Sequence, residues 1–317
     1  MKNLMKPFKI VFMGTPEFAV PSLERLVSDG HDIAAVITQP DRKRGRGGEV
    51  SFSPVKKVAL IHGIPVLQPE RIRNKAYVEK LQKLEPDLFV TCAYGQILSK
   101  AVLDIPKYGC INVHASLLPK YRGAAPIQRA VMNGDKITGI TTMMTDIGMD
   151  TGDILLKSET EITEDMTSGE LHDILKESGA GLLSDTLLRL SEGTLERSPQ
   201  DDSKATHAPM LKKKESIIDW KENSKSIHDK VRALNPWPGC FTTYKGKRMR
   251  IIRTNYVESE YNRQPGSISR LDSEMMEIAC GTGYLRIYEL QFENKKATDI
   301  AKCWHNIDKK AVLGGKD

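Results

Sequence analysis

No Cys-x-x-Cys pair occurs among the five cysteines (Cys92, Cys110, Cys240, Cys280 and Cys303), and their number is odd. A disulfide framework and a four-thiolate zinc site are therefore not expected, and this usage fits a reducing, cytoplasmic compartment. The seven histidines lack both the H-E-x-x-H pattern and the spaced His pair of zinc sites, so no metal is expected. No apolar run approaches the roughly 20 residues that span a bilayer, so no membrane partner is expected. The opening MKNLMKPFKIVFMG has only a short apolar stretch interrupted by Lys9, too short for the core of a signal peptide, and reads as a first strand. Internal repeats and low-complexity tracts are absent. So are G-x-G-x-x-G, G-x-x-x-x-G-K-[ST] and the G-x-S-x-G elbow, which removes the strongest support for NAD binding, ATP hydrolysis and a serine nucleophile.

What is present describes a globular protein. The 317 residues are enough for two domains, and 39% hydrophobic with 28% charged residues is a globular balance rather than a disordered one. Charge is uneven along the chain. Residues 1–209 carry 26 Lys+Arg against 27 Asp+Glu, whereas residues 210–317 carry 21 against 14, an excess of seven cations. That excess suits either a polyanionic partner or a merely solvated surface.

The first part alternates strand and helix signals. Strands are expected at 9–13, 32–38, 87–93 and 109–114. Helices are expected at 22–29, from Ser53-Pro54 to Gly63, at 74–84 and at 125–133. Residues 137–147 and 154–162 look like paired strands, and 168–190 like a long helix. This alternation predicts an α/β domain over 1–190, a Rossmann-like, mainly parallel sheet with helices on both faces. Residues 191–209 are polar, with Gly, Pro and Ser, and read as a linker. Beyond them, 210–317 has a short helix at 224–234 and otherwise β-rich segments spaced as in a small barrel or sandwich; an OB-like β-barrel is expected. The first turn, Gly14-Thr15-Pro16, invites a dinucleotide, but Glu17 and Phe18 stand where a pyrophosphate would approach.

The most informative stretch is 109–135. Asn112 and His114 lie two apart at the end of an apolar strand, so they share a face, and ligands of open α/β sheets bind beyond the carboxyl ends of strands. An amide donor and an imidazole there could stabilise an oxyanion and handle a proton, the two needs of acyl transfer. A strand-end histidine is also commonly a satisfied structural residue. Asp150, in the Gly-flanked turn TDIGMDTGD, could reach the same mouth and orient His114, or could be a turn former like Asp146 and Asp153. DRKRGRGG (41–48) is a basic segment whose Gly45, Gly47 and Gly48 should break regular structure; it could bind an acceptor stem or simply be solvated.

N-V-H-x-S-L-L-P (112–119), R-G-A-A-P-I-Q (122–128) and D-x-G-x-D-T-G-D-I (146–154) resemble the folate-dependent formyltransferases. F-M-G-T-P-E-F (12–18), T-Q-P-D-R (38–42) and N-P-W-P-G (235–239) narrow the resemblance to the branch whose acceptor is initiator methionyl-tRNA. It runs over nearly the whole chain. It implies a catalytic Asn112, His114 and Asp150, folate contacts from Ser116, Leu117, Leu118 and Pro119, and no tightly bound cofactor, with 10-formyltetrahydrofolate as the formyl-donor co-substrate. It places Arg46 in an acceptor-reading loop. Arg42, Lys43 and Arg44 beside it, with Lys245, Lys247 and Arg248 in the last third, are the expected tRNA contacts; Arg250 and Lys212–Lys214 add to the basic surface. A monomer is expected. Two rivals remain: a formyltransferase acting on a small amine such as an aminosugar nucleotide or glycinamide ribotide, and a non-catalytic RNA-binding protein on a similar scaffold.

Overall fold

The apolar run behind Phe8 becomes the middle of a sheet. In the computed structural model, which describes residues 7–44, 49–260 and 263–315, the strands begin with β1 (Lys9–Gly14), β2 (Asp32–Ile37), β3 (Arg42–Arg44), β4 (Glu49–Ser51) and β5 (Val66–Leu67). They continue with β6 (Leu88–Cys92), β7 (Cys110–His114), β8 (Ile137–Met144) and β9 (Ile154–Glu161). Between them come α1 (Val20–Ser28), α2 (Pro54–Ile61), α3 (Lys75–Gln82), α4 (Lys100–Leu103) and α5 (Pro126–Met132), and α6 (Ser168–Glu192) follows. After it stand α7 (Ser224–Ala233) and β10 (Cys240–Tyr244), β11 (Lys247–Val257), β12 (Ile268–Leu271), β13 (Met276–Ala279), β14 (Tyr284–Phe292) and β15 (Thr298–Asp299). The chain divides into two compact units. One holds Met1–Gly123, Thr138–Thr160 and His172–His207; the other holds Ala124–Ile137, Glu161–Leu171 and Ala208–Asp317.

The large sheet runs β5-β2-β1-β6-β7-β8-β9. The pairs from β5 to β7 are parallel, and β8 pairs antiparallel with β7. The chain walks outward from β1 to β2 and β5, then returns to the other side of β1 as β6. The order therefore reverses between β1 and β6, which places the crevice for a ligand at their carboxyl ends. Phe12, Phe89, Ile10 and Ile111 are fully buried on these strands, each contributing about 1.5–3 kcal/mol by leaving water. Ser53 caps α2 as its sequence promised, accepting from Lys56 N at 3.1 Å. The first turn is a short 3-10 helix, Glu17–Ala19, with Phe18 buried in it, so no open phosphate cradle follows β1.

The basic segment differs from expectation. Its flanks are not irregular: Arg42–Arg44 and Glu49–Ser51 pair as an antiparallel ribbon in the register Arg42↔Ser51, Lys43↔Val50 and Arg44↔Glu49. Ladder hydrogen bonds override the weak strand propensity of such a segment. Gly45, Arg46, Gly47 and Gly48 lie outside the described residues. The strand β5 has only two residues and α4 only four, too short for any periodicity to register.

The second unit carries an antiparallel sheet in the order β10-β11-β14-β13-β12, with β15 added on β14. Ile227 and Val231 of α7 pack with Met249, Ile251, Leu285, Ile287 and Leu290 into its core. On the same helix, the buried Arg232 and Asp229 form an ion pair in which Nε and Nη2 of Arg232 both meet Asp229 Oδ1, at 2.8 and 2.7 Å.

Candidate active site

Asn112 stands on β7 directly opposite Thr91 of β6. The Thr91 hydroxyl donates to Asn112 Oδ1 at 2.9 Å, which leaves the amide NH2 as the end able to donate to a ligand. Two positions on, His114 is buried on the same face of the strand. Its Nε2 lies 3.0 Å from the Tyr121 carbonyl oxygen. A carbonyl only accepts, so Nε2 carries the proton, and Nδ1 is the ring atom left to exchange one.

Asp150 faces that atom, with Oδ2 3.7 Å from His114 Nδ1. This is ion-pair range and too long for a direct hydrogen bond. The ring is therefore held by Tyr121 rather than by Asp150, whose Oδ2 instead accepts from Gly123 N at 2.8 Å. Asp150 has φ 55° and Tyr121 φ 62°, both left-handed, a conformation that non-glycine residues keep only where surroundings impose it. The turn runs close beneath β8: a Cβ on Gly152 would collide with the Met144 carbonyl. Asp146 proves to be the turn former, its Oδ1 accepting from Gly148 N at 2.9 Å and from the Thr151 hydroxyl at 2.7 Å.

The S-L-L-P segment is built as a corner. Ser116 and Leu118 are fully buried. The Ser116 hydroxyl donates to the Lys120 carbonyl at 2.7 Å, and the Thr141 hydroxyl donates to the Ser116 carbonyl and accepts from Leu118 N. Their side chains shape the loop, and Leu117 and Pro119 are half-buried. At the crevice, the Tyr94 carbonyl accepts from the Thr15 hydroxyl at 3.1 Å and from Gln39 Nε2 at 3.2 Å, tying the loops after β1, β2 and β6 together. Ile97, Ile147 and Met149 are exposed apolar side chains on the loops that follow β6 and β8.

The expected tRNA contacts divide. Arg42 is exposed, Lys43 and Arg44 are backbone members of the ribbon, and Arg46 lies outside the described residues. Lys245, Lys247 and Arg248 are exposed in the second unit. Lys245 pairs with Asp308 at 3.0 Å, and the Arg248 guanidinium lies 3.3 Å from the Phe241 ring centroid. Arg250 is half-buried and donates to the Pro236 carbonyl. Nothing in the sequence marks Thr91, Tyr121 or Gly123, because two act through backbone atoms and the third through a cross-strand register.

An amide, an imidazole and a carboxylate at the rim of a mainly parallel sheet, followed by a β domain, are the arrangement of a two-domain group-transfer enzyme, and among the described residues no cysteine or G-x-S-x-G serine stands in the cluster. The chain belongs to the formyl transferase family, matching the Formyl transferase description over residues 8–187 and Formyl transferase, C-terminal domain, over 210–307. It is 50% identical over 309 residues to the methionyl-tRNA formyltransferase of Acetivibrio thermocellus, covering 96% of this chain and 99% of that one. It is 52% identical over 294 residues to the methionyl-tRNA formyltransferase of Ruminiclostridium cellulolyticum, covering 92% and 94%. Among solved structures, it resembles WlaRD, a sugar 3N-formyl transferase solved with dTDP and 5-N-formyl-THF. The TM-score is 0.67 and the identity 19%, with 92% of this chain and 100% of that one covered. It also resembles HypX from Aquifex aeolicus in complex with tetrahydrofolic acid, with TM-score 0.63 and 17% identity. That match covers 94% of this chain and 47% of HypX, so the chain spans about half of that protein.

Proposed function

We propose that the protein moves a formyl group from N10 of 10-formyltetrahydrofolate to the α-amino group of initiator methionyl-tRNA. The observation that carries this reading is the placing of His114 Nδ1 against Asp150 on the face of β7 that also presents the Asn112 amide. Identity of about one half to methionyl-tRNA formyltransferases along nearly the whole chain supports the choice of acceptor.

The α-amine has an ordinary pKa near ~8, so a useful neutral fraction is present at pH 7 and no strong base is required. It attacks the formyl carbon; the new N–C bond forms as the carbonyl oxygen takes up negative charge. Asn112 Nδ2 donates to that oxyanion. The amine's proton passes to the His114 Nδ1 and Asp150 pair, across a gap that a single water can bridge. The C–N10 bond then breaks, and N10 receives a proton from the same pair, so charge and protons balance. Ile97, Leu117 and Pro119 offer apolar surface to the flat ring of the folate, and backbone groups of the same loops offer its hydrogen bonds.

The basic surface is the feature a small amine acceptor does not need. Arg42, Lys43 and Arg44 of β3 and Arg46 of the same basic segment, with Lys245, Lys247 and Arg248 in the second unit, neutralise phosphates of the acceptor stem. The enzyme works as a monomer in the cytoplasm, where charged tRNA is found and where its five buried thiols stay reduced. Incubating purified protein with 10-formyltetrahydrofolate and either methionyl-tRNA or an aminosugar nucleotide tests the reading. Formylation of methionyl-tRNA is the expected result. Transfer to the sugar alone would move the protein to the small-amine class, and transfer to neither would refute the chemistry.

A further inference from the structure

Part of the stretch 191–209, a polar linker by composition, is laced onto both loops of the reactive pair. Ser198 exchanges both backbone hydrogen bonds with Ile154, at 2.8 and 2.9 Å. Thr206 accepts from Arg122 N through its carbonyl at 2.8 Å and from Tyr121 N through its hydroxyl at 2.9 Å. Between these anchors sits Gln200. Its Nε2 donates to the carbonyls of Asp150 and Gly152, at 2.8 and 2.7 Å. Its Oε1 accepts from Arg122 Nε and Nη2, at 3.0 and 2.8 Å. Both donors and both lone pairs of one amide are therefore used, a full complement for this side chain.

Arg122 itself is 6% exposed and pairs with Asp202 at 2.7 Å. Asp150 keeps a left-handed φ of 55°, a conformation its surroundings must support, and the carbonyls of Asp150 and Gly152 are the groups Gln200 holds. The far end of the same amide is tied to the residue before Gly123, whose N–H fixes the Asp150 carboxylate.

We propose that Gln200 is a positioning residue, clasping the Asp150–Gly152 turn to the Arg122 side chain so that the Asp150 carboxylate stays beside His114 Nδ1. The proposal rests on the formyl-transfer reading above. It is tested in the full-length protein with Gln200→Ala and Gln200→Glu, the second keeping an acceptor for Arg122 but losing both N–H donors to the turn. Both variants should lose kcat about 10–100-fold, since a displacement near 1 Å in a reacting group has that scale. KM for both substrates should stay within about twofold, because substrate contacts are unchanged. Asp202→Ala, which removes only the exposed partner of Arg122, should keep kcat within about twofold. Gln200 variants with wild-type kcat beside an inactive Asp150→Ala would overturn the proposal and leave the formyl-transfer reading intact. So would an equal loss in Asp202→Ala, which would indicate general loosening of the segment. Should the wild-type protein transfer no formyl group, that reading fails, and a crystal structure of Gln200→Ala still decides: an Asp150–Gly123 bond kept at its present length refutes the clasp.

Discussion

Replacing Asn112 isolates the oxyanion donor from everything else at the site. The side chain is half-buried, and its one hydrogen bond among the described residues comes from the Thr91 hydroxyl. In Asn112→Ala that hydroxyl can turn fully to the Ile111 carbonyl, already 3.4 Å away, so the stability loss should be about 1 kcal/mol. The chemical loss should be much larger. Removing one preorganised donor costs about 10²–10³ in rate, or roughly 2.7–4 kcal/mol. Asn112→Asp tests the sign of the effect, since it keeps the shape, has no N–H and adds negative charge where negative charge develops. At ~4 Å and an effective dielectric near ~20, that repulsion is about 4 kcal/mol, a further factor on the order of 10³. Single-turnover formylation with both substrates saturating reads these rates directly, and equilibrium folate binding should be nearly unchanged, because the interaction strengthens only in the transition state. A kcat within about fivefold of wild type in Asn112→Ala, or an Asp variant faster than the Ala variant, would refute the assignment.

Three further outcomes are expected. Arg46→Ala should raise KM for methionyl-tRNA and hardly change folate affinity, and binding should fall steeply with added salt; equal losses for both substrates would count against a tRNA role. Asp229→Ala, which removes the paired carboxylate and leaves the buried Arg232 guanidinium the Thr163 and Met166 carbonyls, should lower unfolding free energy by about 3–5 kcal/mol in denaturant titrations, whereas a loss under 1 kcal/mol would mean the pair is solvated. Burial holds the His228 and His31 imidazoles below their ordinary value, outweighing nearby Asp229 and Asp29 respectively. The unfolded chain then binds protons first, so stability is full above pH ~6.5 and is lost as pH falls from there through the folded values. Thermal unfolding from pH 7.5 to 5 should show that decline, and His228→Asn should flatten it; an equally steep decline in that variant would remove His228 as the cause.

How the site could be read from the sequence depends on the kind of interaction. Asn112 and His114 were legible because a strand repeats every two residues, which forces both side chains to one face. Asp150 was legible as one of three aspartates in a turn, but only the fold separates it from Asp146, which spends its carboxylate on Gly148 and Thr151. Ser116 and Leu118 matched a ligand-contact motif, yet their side chains are inward and hold the corner. A residue pattern reports which positions matter, and burial decides which atoms face the ligand.

Local chemistry sufficed for the alternation of strands and helices, the capped start of α2 and the basic bias of the last third, because each depends on neighbours within a few positions. The order of strands around β1, the grip of Tyr121 on His114 and the tie from Gln200 to the Asp150 turn were settled only by folding. Each of those contacts has a backbone group on at least one side, and the partners are 7 to 78 positions apart, from His114 and Tyr121 to Ile10 and Leu88. Polar backbone atoms are the same in every residue, so no composition or spacing can mark which of them will meet.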